Sequence, residues 1–280
     1  MKTLPLLTQA RAPLTHVVQV VNEHGEEQSL EIPSERALTV YVDRRELVTL
    51  MTLGEHPEWL VLGYLINQRL VASAHDVLSI TVDWEVGAAA VKTRAGIVDL
   101  AAKTARRVVT TGCGQGSVFG DLMDGLDQIS LPDTRIAQGA LYGIVNSVRL
   151  HDSVYKHAGS VHGCGLFKGE EMRLFVEDVG RHNAIDTIAG WMALNSVDSA
   201  GHVFYTTGRL TSEMVIKAAQ MGIAVVISRS GMTQMGHAVA QSLGLCAIGR
   251  ATNKRFFCFS AAHRLQLQPE LAGAKLRALA

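Results

Sequence analysis

Cys113 lies in the run Arg107-Val-Val-Thr-Thr-Gly-Cys-Gly-Gln-Gly116-Ser, with Gly112, Gly114 and Gly116 around it. A cysteine kept for packing usually sits inside an element, among apolar side chains. This one sits among residues that have no side chain. Glycine lets backbone N–H groups approach a bound or reacting atom, and such donors stabilise a thiolate or the anion of a sulfur attached to it. The residue types thus describe a reactive sulfur in a backbone cradle. A glycine-rich turn that merely contains a small residue is the competing reading.

Three further stretches gather polar side chains where an apolar run gives way to a helical pattern. Glu177-Asp-Val-Gly-Arg-His-Asn183 holds two acids, an arginine, a histidine and an amide. Arg181 suits a carboxylate or phosphate and Asp178 a hydroxyl or a base N–H; His182 adjoins them. Ligands of open α/β sheets bind beyond strand carboxyl ends, and helix N-termini favour anions. The competing reading is a helix capped by Asp178 or Asn183. Thr206-Thr-Gly-Arg-Leu-Thr-Ser-Glu213 lacks the Walker glycine–lysine spacing, yet Thr207, Gly208 and Arg209 could hold a phosphate on backbone N–H groups. Capping accounts for Thr211 and Ser212 and leaves Arg209 unexplained. Ser228-Arg-Ser-Gly-Met-Thr233 reads equally as a plain turn or as a loop that turns Arg229 towards a ligand. His157 and His162 flank Ala158-Gly-Ser160 and read as surface or hydrogen-bonded histidines rather than bases.

The elements that must position these groups differ between the two halves of the chain. Residues 15–53 read as short strands, with 38–43 and 46–50 forming a hairpin across Asp43-Arg44-Arg45. Pro57 opens a helix to about residue 69, with Trp59, Leu62, Gly63 and Ile66 at helical spacing. Strands follow at 77–82 and 89–93, and β-branched residues before Gly112 predict a strand running into the Cys113 turn. Beyond it, Asp133 is placed to cap a helix over 134–150. Strands at 161–167, 172–176, 202–205, 223–228, 245–248 and 255–259 alternate with helices at 183–194, 211–221 and 234–243. That alternation predicts a layered α/β domain. The organisation expected is a short N-terminal segment (1–14), a small α+β domain (15–110), an α/β domain (111–265) and a C-terminal tail (266–280). The boundary falls near residues 103–112, next to Cys113.

Composition narrows the function classes. Hydrophobic residues are 48% and charged residues 19% of the 280, a globular balance. Lys+Arg and Asp+Glu each number 26, so neither nonspecific nucleic-acid binding nor a polybasic membrane surface is expected. Neither a membrane span nor a signal peptide is read from the chain. None of Cys113, Cys164, Cys246 and Cys258 forms a C-x-x-C or other zinc spacing. Cys246 and Cys258 sit in apolar runs and read as buried thiols. A reduced, cytoplasmic setting is expected.

Glu177-Asp-Val-Gly-Arg-His-Asn-Ala-Ile-Asp186, Gly208-Arg-Leu-Thr-Ser-Glu-Met-Val-Ile-Lys-Ala-Ala-Gln-Met-Gly222 and Ser228-Arg-Ser230 resemble signatures of the formate dehydrogenase accessory sulfurtransferases, the FdhD family. So do Glu35-Arg-Ala-Leu-Thr-Val-Tyr-Val42 and Leu47-Val-Thr-Leu-Met-Thr52. The resemblance spans about residues 15–265. It implies a sulfur carrier that accepts sulfur from a cysteine desulfurase as a persulfide on Cys113. It also implies delivery to the molybdenum bis-guanine-dinucleotide cofactor, bound as a substrate, for formate dehydrogenase. A cytidine deaminase-like α/β domain and a homodimer are implied too. The family's cofactor-binding segment falls on Phe256, Phe257, Cys258, Phe259, Ser260 and Ala261, and a guanine nucleotide should mimic part of the cofactor. Many members carry C-x-x-C in the active loop, where this chain has Gly116. A relay between two loop thiols is therefore unavailable, and a cofactor-binding chaperone without sulfur transfer is the alternative. The P-C-x-x-C part of the zinc deaminase signature is missing, so no catalytic metal is expected.

Overall fold

The computed structural model describes residues 3–97 and 126–272. Cys113 and the boundary expected near residues 103–112 lie outside the described residues. The described helices are α1 (Pro57–Asn67), α2 (Gln138–Leu150), α3 (Val154–Ala158), α4 (Arg181–Leu194), α5 (Ser212–Gln220) and α6 (Gln234–Leu243). The architecture is mixed α/β, as the alternation of patterns predicts. The chain forms two compact units. One takes Met1–Gln128, Asp152–Cys164 and Phe175–Asp198; the other takes Ile129–His151, Gly165–Leu174 and Ser199–Ala280.

In the first unit the predicted hairpin joins β4 (Arg36–Val42) to β5 (Arg45–Thr52). Its two loop residues, Asp43 and Arg44, both have positive φ, 47° and 71°. Two left-handed loop residues match the twist of paired strands. The Asp43 carboxylate offsets the cost by accepting the Thr93 backbone N–H (3.0 Å) and hydroxyl (2.6 Å). With β1 (Leu6–Leu7), β6 (Val77–Asp83) and β7 (Ala88–Thr93) the sheet order is β1-β6-β7-β4-β5. Alternate residues Leu38, Val40 and Val42 of β4 and Ile80 and Val82 of β6 bury against Leu60, Leu62 and Leu65 of α1. β2 (Thr15–Val21) and β3 (Glu27–Pro33) form a separate two-stranded hairpin.

Helix α1 stops at Asn67 rather than at the expected residue 69. Arg69 takes a left-handed conformation, φ 55°, which no right-handed helix accommodates. Helices α1 and α4 cross with their backbones in contact. A Cβ on Gly63 would overlap the Asp186 carbonyl group, and one on Gly190 would overlap the Trp59 carbonyl group. Asn67 Nδ2 donates to Asp186 Oδ1 across the crossing at 2.6 Å.

The sheet of the second unit follows the order β10-β9-β11-β12-β13-β14. Its strands are β9 (His162–Lys168), β10 (Glu171–Asp178), β11 (His202–Thr206), β12 (Val225–Ser228), β13 (Cys246–Thr252) and β14 (Arg255–Cys258). Residues 165–168 of β9 and 171–174 of β10 belong to this unit. Strands β11, β12 and β13 are parallel, and β14 is antiparallel to β13 at the edge. Val203, Tyr205, Val225, Ile227, Cys246 and Ile248 share a core with Leu141, Ile144 and Val145 of α2. Phe204, Val226 and Ala247 between them are equally buried. Such continuous burial is what a parallel sheet covered on both faces requires.

Helix α2 starts at Gln138, later than the Asp133 cap predicts. Residues 136–137 instead form β8 (Ile136–Ala137), paired with β15 (Leu265–Gln266). Asp133 is occupied by Arg135, 3.3 Å away, and the Thr134 hydroxyl accepts the Gly201 N–H. Helix α6 begins and ends as its residues dictate. The Thr233 hydroxyl accepts the Gly236 N–H at 3.2 Å, and Gly244 closes the helix at φ 63°. Among the described residues no helix is long and apolar enough to cross a membrane.

Candidate functional site

In the second unit the parallel strands end together. Register places Thr206 of β11 opposite Ser228 of β12, and the Arg250 N–H of β13 donates to the Ser230 carbonyl at 2.7 Å. The two predicted loops therefore lie side by side at the carboxyl edge of the sheet. Their hydroxyls tie them together. Ser228 Oγ donates to the Gly208 carbonyl at 2.7 Å, and Ser230 Oγ to the Thr207 carbonyl at 2.8 Å. The Gly208 N–H donates to Thr206 Oγ1 at 3.1 Å, and the Arg229 N–H to the Thr206 carbonyl at 3.0 Å. Thr206 and Ser228 are wholly buried. These hydroxyls make the frame that holds Thr207, Gly208, Arg209 and Arg229.

What that frame leaves outward is cationic. Arg209 and Arg229 are exposed, and so is Arg250. Among the described residues neither Arg209 nor Arg250 has a carboxylate within ion-pair distance. Arg250 escaped the sequence reading, although Gly249-Arg250 within β13 repeats the Gly208-Arg209 that follows β11. The repetition was the signal available. Three guanidinium groups, two just after β11 and β12 and one near the end of the adjacent β13, make this edge suited to an anion.

The segment 256–261 borders the same edge through β14. Phe257 is 58% exposed, and the Arg250 guanidinium lies 5.8 Å from its ring centre. Phe259 packs 6.5 Å from Phe257, ring to ring; a side chain at Gly249 would run into the Phe259 ring. Phe256 turns the other way, towards Tyr142 and the core. Ser260 is a buried latch: its Oγ donates to the Leu245 carbonyl at 2.7 Å and accepts the Ala247 N–H at 3.2 Å. Ala261 turns the chain at φ 48°. Cys258 is half-buried rather than buried, because β14 is the outermost strand and Cys258 ends it. Within α5, the fully buried Lys217 lies 3.5 Å from Glu213, a pair that the sequence reading left aside.

Asp178, Arg181 and His182 belong to the first unit. There the Asp178 carboxylate is fully engaged. Oδ2 accepts the Thr52 hydroxyl (2.5 Å) and the Leu53 N–H (3.1 Å), and Oδ1 accepts the Gly180 N–H (3.0 Å) and Asn183 Nδ2 (2.8 Å). Burial pushes the carboxyl above its ordinary range, while those four hydrogen bonds pull it down. Asn183 Nδ2 also reaches the Met51 carbonyl at 2.6 Å. The neighbouring Glu177 caps α3, accepting the Val154 and Tyr155 N–H groups at 2.5 and 3.1 Å. Arg181, His182 and Asn183 are all buried in the first turn of α4. Cys164 is fully buried inside β9, as its apolar run implies. Among the described residues no three His, Cys, Asp or Glu side chains are placed to share a metal ion.

Comparison with known proteins adds identity to this geometry. The sequence profile of the FdhD/NarQ family matches residues 33–266. The chain is 28% identical over 236 residues to the sulfur carrier protein FdhD of Bacillus pumilus, covering 84% of this chain and 90% of the relative. It is 29% identical over 248 residues to that of Bacillus subtilis, covering 87% and 94%. Its structure superposes with a TM-score of 0.74 and 25% identity on the crystal structure of a candidate formate dehydrogenase accessory protein from Desulfotalea psychrophila, covering 90% of this chain and all of that one. The match runs through the strand-end loops and the β14 segment alike, and the chain belongs to the FdhD/NarQ family.

Proposed function

We propose that this protein is a sulfur carrier for formate dehydrogenase maturation. Cys113 takes sulfur from a cysteine desulfurase as a persulfide and passes it to the molybdenum bis-guanine-dinucleotide cofactor. The observation that carries this reading is the near full-length match to relatives named sulfur carrier proteins. The cysteine positions support it: Cys164 and Cys246 are buried inside strands, whereas Cys113 stands in a sequence run with Gly112, Gly114 and Gly116. A single thiol suffices chemically. Its thiolate attacks the sulfane sulfur of the donor persulfide, the donor leaves as a thiolate, and the new persulfide is open to an acceptor.

The carboxyl edge of β11–β13 is the cofactor-tail site in this reading. Arg209, Arg229 and Arg250 supply charge for a diphosphate, and the exposed Phe257 ring supplies a face for a guanine base. Asp178 ties the first turn of α4 to β5 and the residue after it within the first unit. The cytidine deaminase-like assignment of the α/β domain, the homodimer and the cytoplasmic setting belong to the same proposal.

The test is intact mass after incubation with a desulfurase and cysteine, followed by formate dehydrogenase activity in cells. We expect one sulfur on Cys113. We expect Cys113→Ala to lose loading and maturation and to keep its fold and guanine nucleotide binding. A Cys113→Ala chain that still matured the enzyme would replace the carrier with a cofactor-binding chaperone, the reading that Gly116 keeps open.

A further inference from the structure

The second unit holds a pair of thiols that the proposed carrier chemistry does not use. Cys246 opens β13 and is fully buried; Cys258 ends the outermost strand β14 and is half-exposed. Their sulfurs are 3.9 Å apart. Register places Ile248 opposite Cys258, so Cys246 lies diagonally across from Cys258 on the same face; closing contact to a bond of about 2.0 Å takes side-chain rotation together with a local approach of the two strands.

The two thiols are not equivalent. The hydrogen bond from Cys246 lowers the Cys258 thiol to about 7. The same hydrogen bond, together with burial, raises the Cys246 thiol. These shifts favour the proton on the inner sulfur and the thiolate on the outer one; in its protonated form Cys258 Sγ donates to the Ser260 carbonyl at 3.3 Å. This is the division of labour of a reactive dithiol: an accessible nucleophile with a protonated partner behind it.

We infer that Cys258 and Cys246 form a second sulfur-reactive site, in which Cys258 accepts sulfane sulfur from a small-molecule persulfide and Cys246 discharges it as sulfide. The Cys258 thiolate attacks the outer sulfur of the donor; the donor S–S bond breaks and the donor leaves as a thiol. Cys246 then attacks Cys258 Sγ, the bond to the outer sulfur breaks, and that sulfur leaves with the Cys246 proton as hydrogen sulfide. One persulfide and two protein thiols become one thiol, one hydrogen sulfide and one disulfide. The sulfane sulfur is reduced and the dithiol is oxidised. The choice of a persulfide substrate rests on the sulfur-carrier reading; the geometry of the pair does not.

The probe is glutathione persulfide, applied to the full-length Cys113→Ala chain so that loading of Cys113 is not read. We expect the chain to lose the mass of two hydrogens, one hydrogen sulfide to be released per chain, and a Cys246–Cys258 cross-linked peptide under non-reducing conditions. Adding Cys246→Ala should trap one extra sulfur on Cys258 with no sulfide release. Adding Cys258→Ala should abolish both products. Circular dichroism checks that each variant folds, and the cross-link map of the chain with both cysteines intact needs neither substitution. No sulfide and no cross-link from that chain would overturn the proposal, as would added sulfur on Cys164, or sulfide release that survives Cys258→Ala. Desulfurase loading of the unsubstituted chain, read at Cys113, is a separate measurement, so either reading can fail alone.

Discussion

Two loops of the molecule look alike on paper and do opposite things. Glu177–Asn183 and Thr206–Arg209 each join a strand to a helix, and each mixes hydroxyl, amide or acid groups with an arginine. In the first, the carboxylates are occupied by the chain itself: Asp178 holds four donors and Glu177 caps α3. In the second, Thr206 Oγ1 accepts the Gly208 N–H, the Thr207 and Gly208 carbonyls accept the hydroxyls of Ser230 and Ser228, and Arg209 is left exposed. The difference lies in where the partners come from. A buried acid surrounded by backbone N–H groups is a structural lock. An exposed cation above a rigid, internally satisfied frame is available to something else.

The comparison can be broken first at the lock. We predict that Asp178→Ala destabilises the protein by about 3 kcal/mol, since it strands a buried hydroxyl and two buried N–H groups. Urea unfolding measures this, and a loss below about 1 kcal/mol would show that the loop tolerates unsatisfied donors. Asp178→Asn should cost less, because its oxygen keeps some of those bonds.

At the cationic edge the expected effect is on binding rather than stability. Arg209→Ala with Arg250→Ala should leave the unfolding free energy within about 0.5 kcal/mol of the parent. It should weaken guanosine diphosphate binding about tenfold or more in calorimetry, each factor of ten being about 1.4 kcal/mol. A variant that binds as tightly as the parent removes the site from this edge. Equal affinity for adenosine diphosphate in the parent would limit the site to phosphate recognition.

The smallest effect expected is a pH response in the first unit. Burial, then the nearby charge of Arg11, lowers His56 from 6.5 to about 4; its ring stacks on Trp59 at 4.0 Å. The unfolded chain therefore binds a proton that the folded chain refuses between about pH 6.5 and 4, so stability falls as pH falls through that window. Glu55 beside it is raised, mainly by burial, and acts in the opposite sense. His56→Phe keeps the stacking and should flatten the fall in stability between pH 7 and 5. An unchanged slope would assign that fall to other groups.

Much of this was legible in the residues. The hairpin at Asp43-Arg44, the helix opened by Pro57, the α6 boundaries at Thr233 and Gly244, and the alternation of strands with helices follow from local chemistry. Turn geometry, caps and periodicity depend only on near neighbours in the chain. Recognition of the family had the same origin, since its signatures are contiguous. The late start of α2 was not legible, because residues 136–137 pair with residues 265–266, far along the chain.

Sequence alone thus determined the fold class, the family and the loops in which polar groups gather. Tertiary structure decided which of those groups are spent. It returned residues 175–198 to pack with α1, where Gly63 and Gly190 allow backbone contact. It gave Asp178 its donors from Thr52 and Leu53, added Arg250 to the edge of Arg209 and Arg229, and brought Cys246 within 3.9 Å of Cys258. Each outcome depends on partners distant in the chain. A hydrogen-bond donor, a charge or a thiol has the same local signature whether or not such a partner arrives.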